Sequence, residues 1–157
     1  MKSFKLLCLM ALVALFSFAA CNNKEKNTEQ EEEIVKQLDT QSFVDIISEI
    51  DYEWNYKGDK PCIVDIYATW CAPCKMMSPI LDSIAEEFKD DIYVYKVDYE
   101  SSHELVDYFQ IDGVPSIIYI PMDGKPIKEV GYRSKTECID LMNKYLLKVD
   151  STSVNEK

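Results

Sequence analysis

Trp70-Cys71-Ala72-Pro73-Cys74-Lys75 places two thiols three residues apart. At the first turn of a helix such a pair can close a small-ring disulfide and reopen it, which is the chemistry of thiol–disulfide exchange. Free N–H groups at that turn stabilise a thiolate on Cys71 and make it the nucleophile. Cys74, turned inward, is then the resolving thiol. Pro73 lacks an N–H that the first turn would leave unpaired anyway, and its fixed φ stiffens the ring. Upstream, Asp65 interrupts the apolar run Ile63-Val64-Asp65-Ile66-Tyr67. A buried carboxylate holds its proton more tightly than an exposed one or pairs with a cation. Acting through a water beneath Cys74, Asp65 would serve as the proton acceptor that frees Cys74 to attack. Lys96, inside the next apolar run, is the expected partner of Asp65; an ordinary structural ion pair is the alternative reading of both. Gly113-Val114-Pro115-Ser116 precedes a third apolar run. A cis bond at Pro115 would present the Val114 backbone to an extended substrate and keep the site open to a peptide but closed to a metal ion. A trans proline starting a strand is the alternative there.

Positioning these groups requires an α/β framework, and the pattern from Ile34 to Val149 supplies one. Ile34 to Leu38 reads as a strand, and Phe43, Ile46, Ile47 and Ile50 recur at helical spacing after a start near Thr40. Ile63 to Tyr67 is apolar on both faces apart from Asp65, as a central strand covered on both sides is. Met77, Ile80, Leu81, Ile84 and Phe88 predict a helix from Cys74 to Phe88, kinked at Pro79. Ile92 to Val97 is the next strand. Ser101 with Glu104 predicts a capping box opening a short helix. Ser116 to Ile120 and Lys128 to Tyr132 read as strands joined around Asp123-Gly124. Thr136 is the expected cap of a last helix carrying Cys138, Ile139, Leu141, Met142 and Leu146 as far as Lys148. Residues 150–157 read as a frayed tail.

The chain has 157 residues, 47% of them hydrophobic, which suffices for one domain with a real core. Its 17 basic and 28 acidic residues leave a formal charge of -11, which repels phosphate backbones and argues against nucleic-acid binding. With 4 Gly and 6 Pro and no recurring period, collagen-like and repeat architectures drop out. Two lysines in Met1 to Lys5, the apolar run Leu6 to Ala20 and the small residues before Cys21 follow the order of a signal peptide. A membrane-spanning helix needs about 20 apolar residues, more than this run offers. Residues 1–20 resemble a bacterial lipoprotein signal with Cys21 as the acylated first mature residue, although Phe18 stands where a branched aliphatic residue is usual. Several acyl chains anchor stably because each buried methylene contributes about 0.8 kcal/mol. Plain secretion with an incidental Cys21 is the alternative. Residues 21–33 then form an acidic, disordered tether between membrane and domain; Asn22 to Glu33 has no apolar residue and five glutamates. The acidic run after Cys21 also fits a surface-export signal. Export to an oxidising compartment lets disulfides persist.

Trp70 to Lys75, Asp65, Pro79, Lys96, Gly113 to Ser116 and Gly131 fall in the order and close to the spacing of the thioredoxin family, which the chain resembles across residues 34–149. The resemblance implies a thioredoxin fold: a central mixed sheet of about five strands flanked by helices on both faces. It implies the roles of nucleophile, resolving thiol, buried acid and cis-proline for Cys71, Cys74, Asp65 and Pro115. Trp70, Ala72, Pro73, Val114, Gly131 and Tyr132 would meet the substrate. Three positions depart from the family's pattern. Tyr67 replaces a second tryptophan, Ala72 a glycine, and Tyr132 a small residue whose loss is at odds with docking to the ordinary cytosolic thioredoxin reductase.

The function implied is thiol–disulfide oxidoreduction on protein cysteines in the cell envelope, on the periplasmic side, by a lipid-anchored monomer without cofactor or metal. Reduction is favoured over oxidation because Ala-Pro between the cysteines resembles the reducing side. An exported reductant needs a membrane or envelope redox partner. The extra insertion common in the subfamily that serves cytochrome c maturation is absent from this sequence. Two rival classes are a redox-silent module that holds extended peptides on the Val114-Pro115 edge and a lipoprotein binding metal through Cys71 and Cys74. Lys75 follows Cys74 where covalent haem attachment needs histidine. Cys62 and Cys138 read as small buried hydrophobes, with a Cys62–Cys138 bridge as the alternative. A four-cysteine zinc site normally shows two close ligand pairs, and only one is present. His103, Met76, Met77 and the tyrosines carry no assigned function.

Overall fold

A computed structural model describes residues 33–50 and 53–148. The expected signal peptide, Cys21, the tether before Glu33 and the tail after Lys148 lie outside the described residues. The elements run β1 (Val35–Leu38), α1 (Thr40–Ile46), β2 (Cys62–Tyr67), α2 (Ala72–Glu87), β3 (Tyr93–Asp98), α3 (His103–Tyr108), β4 (Ser116–Ile120), β5 (Ile127–Val130) and α4 (Lys135–Met142), which passes into a π-helical turn (Asn143–Leu147). The strands form one five-stranded sheet in the order β1-β3-β2-β4-β5. β1, β3 and β2 are parallel, and β4 and β5 are antiparallel to their neighbours. This is the mixed sheet of five strands that the sequence implied. Among the described residues no helix is long and apolar enough to cross a membrane.

Sequence explains which strands are central. β2 is buried at every position except its last and β4 at every position, because helices cover both faces of the sheet there. β5, at an edge, alternates half-buried and exposed residues instead. Alternation along β2 and β4 feeds two separate cores. On one face Ile63, Ile117 and Tyr119 pack with Met77, Leu81 and Ile84 of α2 and Cys138 and Met142 of α4. On the other face Val64, Ile66 and Ile118 pack with Phe43, Ile47, Leu105 and Ile111. Asp65 belongs by register to the α2 side.

Several boundaries differ from expectation, each for a visible reason. The Ser101–Glu104 capping box does not form. Ser102 is the N-cap of α3 without a side-chain cap bond, Ser101 Oγ donates back to the Asp98 carbonyl, and the Glu104 carboxylate accepts from Thr40 Oγ1 at 3.0 Å. Ser134, not Thr136, caps α4 and forms a full capping box with Glu137. β5 stops at Val130 because Gly131 takes φ of 95°, a region that favours glycine. The first helix ends at Ile46, so Ile50 packs on the second core from outside it. α2 continues through Pro79, whose missing N–H costs one internal bond.

Candidate active site

β2 ends at Tyr67, and the chain turns through Ala68, Thr69 and Trp70 into the mouth of α2. Cys71 is the N-cap of that helix, with extended backbone, and its sulfur accepts the Cys74 N–H at 3.1 Å. Pro73 occupies the first helical turn, where a proline leaves no partner unmet. Cys71 and Cys74 are joined as a disulfide with Cα atoms 5.3 Å apart. In this oxidised form the two residues are equally covered, at 3% exposure each, so their difference in role rests on position: one caps the helix, the other lies inside its first turn. A sulfur released at the cap faces the free N–H groups of the turn, the setting that favours a thiolate.

Beside the disulfide, Ala68 completes a small buried cluster against which Tyr67, Tyr99 and Val114 pack. The Val114–Pro115 peptide bond is cis, and the Pro115 carbonyl accepts the Gly131 N–H at 2.8 Å, which brings Gly131 alongside Pro115. Ser116 Oγ closes the loop by donating to the Gly113 carbonyl at 2.6 Å. Trp70 is 64% exposed and Tyr132 42% exposed, and Ala72 and Pro73 are exposed as well. Apolar surface of this kind, rimming a redox bond, suits contact with another protein.

Beneath Cys74 lies a cavity of about 360 Å³ lined by Asp65, Tyr67, Ala68, Thr69, Cys74, Lys75, Ser78 and Lys96. Asp65 is 1% exposed, and its Oδ1 makes no hydrogen bond within the protein. Burial pushes its carboxyl up to about 7, against the opposing pull of Lys96 and with help from the charge of Asp82. A carboxylate with this affinity is a competent proton acceptor near neutral pH. The cavity is roomy enough for water between Asp65 and Cys74.

The expected Asp65–Lys96 ion pair is not the observed one. Lys96 stands opposite Asp65 in the β2–β3 register, yet its Nζ donates to Ser78 Oγ at 2.8 Å and to Asp82 Oδ1 at 2.9 Å. The long side chain reaches past its strand neighbour to carboxylate and hydroxyl groups at the rim, where Asp82 remains hydrated. Pairing there avoids stripping water from two charges at once. Ser78, Asp82 and Tyr99 were not singled out from the sequence. A signal for the first two exists: Cys74, Ser78 and Asp82 recur at intervals of four and so share one stripe of α2. Tyr99 becomes visible only when β3 and the cysteine loop are brought together.

Comparison with known proteins agrees with this geometry. A family model described as Thioredoxin matches residues 34–144. A thioredoxin of Borreliella burgdorferi is 42% identical over 82 residues, covering 52% of this chain and 70% of its own length. One from Alicyclobacillus acidocaldarius is 34% identical over 92 residues, covering 58% and 87% respectively. Among solved structures, chloroplastic thioredoxin z superposes with a TM-score of 0.59 at 25% identity, covering 71% of this chain and 93% of its own.

Proposed function

The chain belongs to the thioredoxin family and is a thiol–disulfide oxidoreductase, and from that premise we propose that it reduces disulfides of proteins in a bacterial cell envelope while tethered to a membrane through lipid on Cys21. The observation that carries the reading is the Cys71–Cys74 disulfide at the mouth of α2 above a buried acid. Reduction starts when the Cys71 thiolate attacks a substrate disulfide, forming a Cys71–substrate bond and releasing one substrate thiolate, which takes a proton from solvent. Asp65, through water in the cavity, accepts the Cys74 proton. The Cys74 thiolate then attacks the Cys71 sulfur, closing the internal disulfide and releasing the second substrate thiolate. Two electrons pass to the substrate. A membrane dithiol donor returns them by exchange at the same pair, since Tyr132 after Gly131 disfavours docking to the ordinary cytosolic reductase.

Trp70, Ala72, Pro73, Val114, Gly131 and Tyr132 form the docking rim in this reading, and the cis Val114–Pro115 edge offers its backbone to an extended peptide. Envelope placement is supported by the lysines, apolar run and small residues that precede Cys21. Reduction is supported by the Ala-Pro pair between the cysteines. The test is a trio of variants. Cys71→Ser abolishes reduction of insulin, Cys74→Ser accumulates disulfide-linked adducts on a non-reducing gel, and Cys21→Ser moves the protein from the membrane fraction to the soluble one. Insulin reduction retained by Cys71→Ser, no adducts with Cys74→Ser, or unchanged fractionation of Cys21→Ser each removes the corresponding part.

A further inference from the structure

Lys96 and Asp65 are neighbours across parallel strands, where the backbones run about 4.8 Å apart, yet the cation is directed elsewhere. On α2, the spacing of four places Cys74, Ser78 and Asp82 on one stripe above the cavity, running from a buried sulfur to a carboxylate at the rim. Lys96 Nζ is held between the lower two, and Asp65 Oδ1 is left without a protein partner. We propose that Ser78 and Asp82 are positioning residues that hold the Lys96 ammonium on the helix side of the cavity, away from Asp65, and so set the pH range over which Asp65 takes the Cys74 proton. This rests on the reading of Asp65 as the acceptor.

The groups facing Asp65 are few. Among the described residues they are Cys74, Lys75, Ser78 and Asp82 from α2, Lys96 from β3, Cys138 from α4 and Tyr67 from its own strand, with apolar Ile117 opposite on β4. Of the two cations, Lys75 is exposed, and Lys96 is the one whose charge favours the carboxylate of Asp65. A tethered Lys96 leaves the carboxyl a strong base. A released Lys96 would approach the carboxylate, stabilise it and make it a weaker one. Asp82 also acts directly, because its own negative charge disfavours ionisation of Asp65. The two routes differ in one respect: only the first needs Lys96.

Stopped-flow mixing of the reduced full chain, with Cys8 and Cys21 replaced by serine, with 5,5′-dithiobis(2-nitrobenzoate) separates the steps. The first thiolate released reports attack by Cys71, and the second reports attack by Cys74 on the mixed disulfide. Between pH 5 and 9 the second phase carries an inflection from Asp65, which Asp65→Asn removes. Asp82→Asn moves that inflection to lower pH by about one unit, the size expected when an opposite charge comes near. In a Lys96→Gln background the same substitution moves it by less than half as much, and Asp82→Glu restores the wild-type position. Ser78→Ala shifts it in the same direction by a smaller amount and serves if Asp82→Asn does not fold. Equal shifts with and without Lys96, or no shift in either variant while Asp65→Asn still abolishes the inflection, overturn the tether and leave the acceptor reading standing. An inflection that survives Asp65→Asn overturns both.

Discussion

In the proposed mechanism Asp65 is the residue at which function and stability pull in opposite directions. Its folded carboxyl titrates at about 7 against 3.8 for the free side chain, with burial as the chief cause. Between those two values the folded protein binds more protons than the unfolded chain, so stability falls as pH rises through this window. Below the lower value there is no penalty, and above the upper one the whole penalty is present, on the order of 4 kcal/mol at 1.36 kcal/mol per unit. Asp65→Asn therefore gains stability over the wild type progressively from about pH 4 to pH 7. Chemical denaturation of both proteins across that range measures it; a difference independent of pH would contradict the assignment of a neutral, buried acid. The placement of the candidate site residues was legible because each broke a local pattern: cysteines at a helix start, a carboxylate in an apolar strand, a proline before one. The partner of Lys96 was not legible. Register put Lys96 beside Asp65 as expected, but which group a long, flexible cation reaches depends on the helix packed above it.

At the scale of elements, the misread helix starts show how tertiary contact overrides a local motif. Ser101-x-x-Glu104 has the form of a capping box, yet the Glu104 carboxylate is occupied by Thr40 from the start of α1, and Ser102 is left as N-cap without a side-chain bond. Ser134-x-x-Glu137 has the same form and meets no competitor, so it caps α4 through Ser134 Oγ and the Glu137 carboxylate. Ser134→Ala is expected to cost about 1 kcal/mol, the usual loss for a removed cap. Ser102→Ala is expected to be neutral or mildly stabilising, because its buried Oγ has no partner to lose. Urea titration of the two variants distinguishes them; equal losses would show that the helix starts are not capped as described. Most strand ends were legible to within one residue, because alternation and full burial mark edge and central strands differently. The exception, the early end of β5, follows from the left-handed backbone at Gly131.

For the whole molecule, the sheet separates two cores, and this decides the fate of the remaining described thiols. Cys62 lies in the core under α1 and α3, and Cys138 in the core under α2 and α4, so the conceivable bridge between them would have to pass through the sheet. Both are buried and free, and burial raises their thiols to about 12 and about 11. In the oxidised, folded protein neither should react with iodoacetamide at pH 8, and both should react once the chain is denatured without reductant; native labelling of either would show that its core opens. Fold class and sheet size were legible from alternating apolar runs and the spacing of the motifs, whereas the side of the sheet each thiol occupies required register. The proposed function requires a reversible two-electron couple at Cys71 and Cys74, poised to donate. Its most direct test is equilibration of the Cys71–Cys74 pair against dithiothreitol and glutathione buffers, followed by quantifying thiol and disulfide forms. A single two-electron transition at about -270 mV is predicted; a midpoint at about -120 mV, or no transition at all, would contradict it.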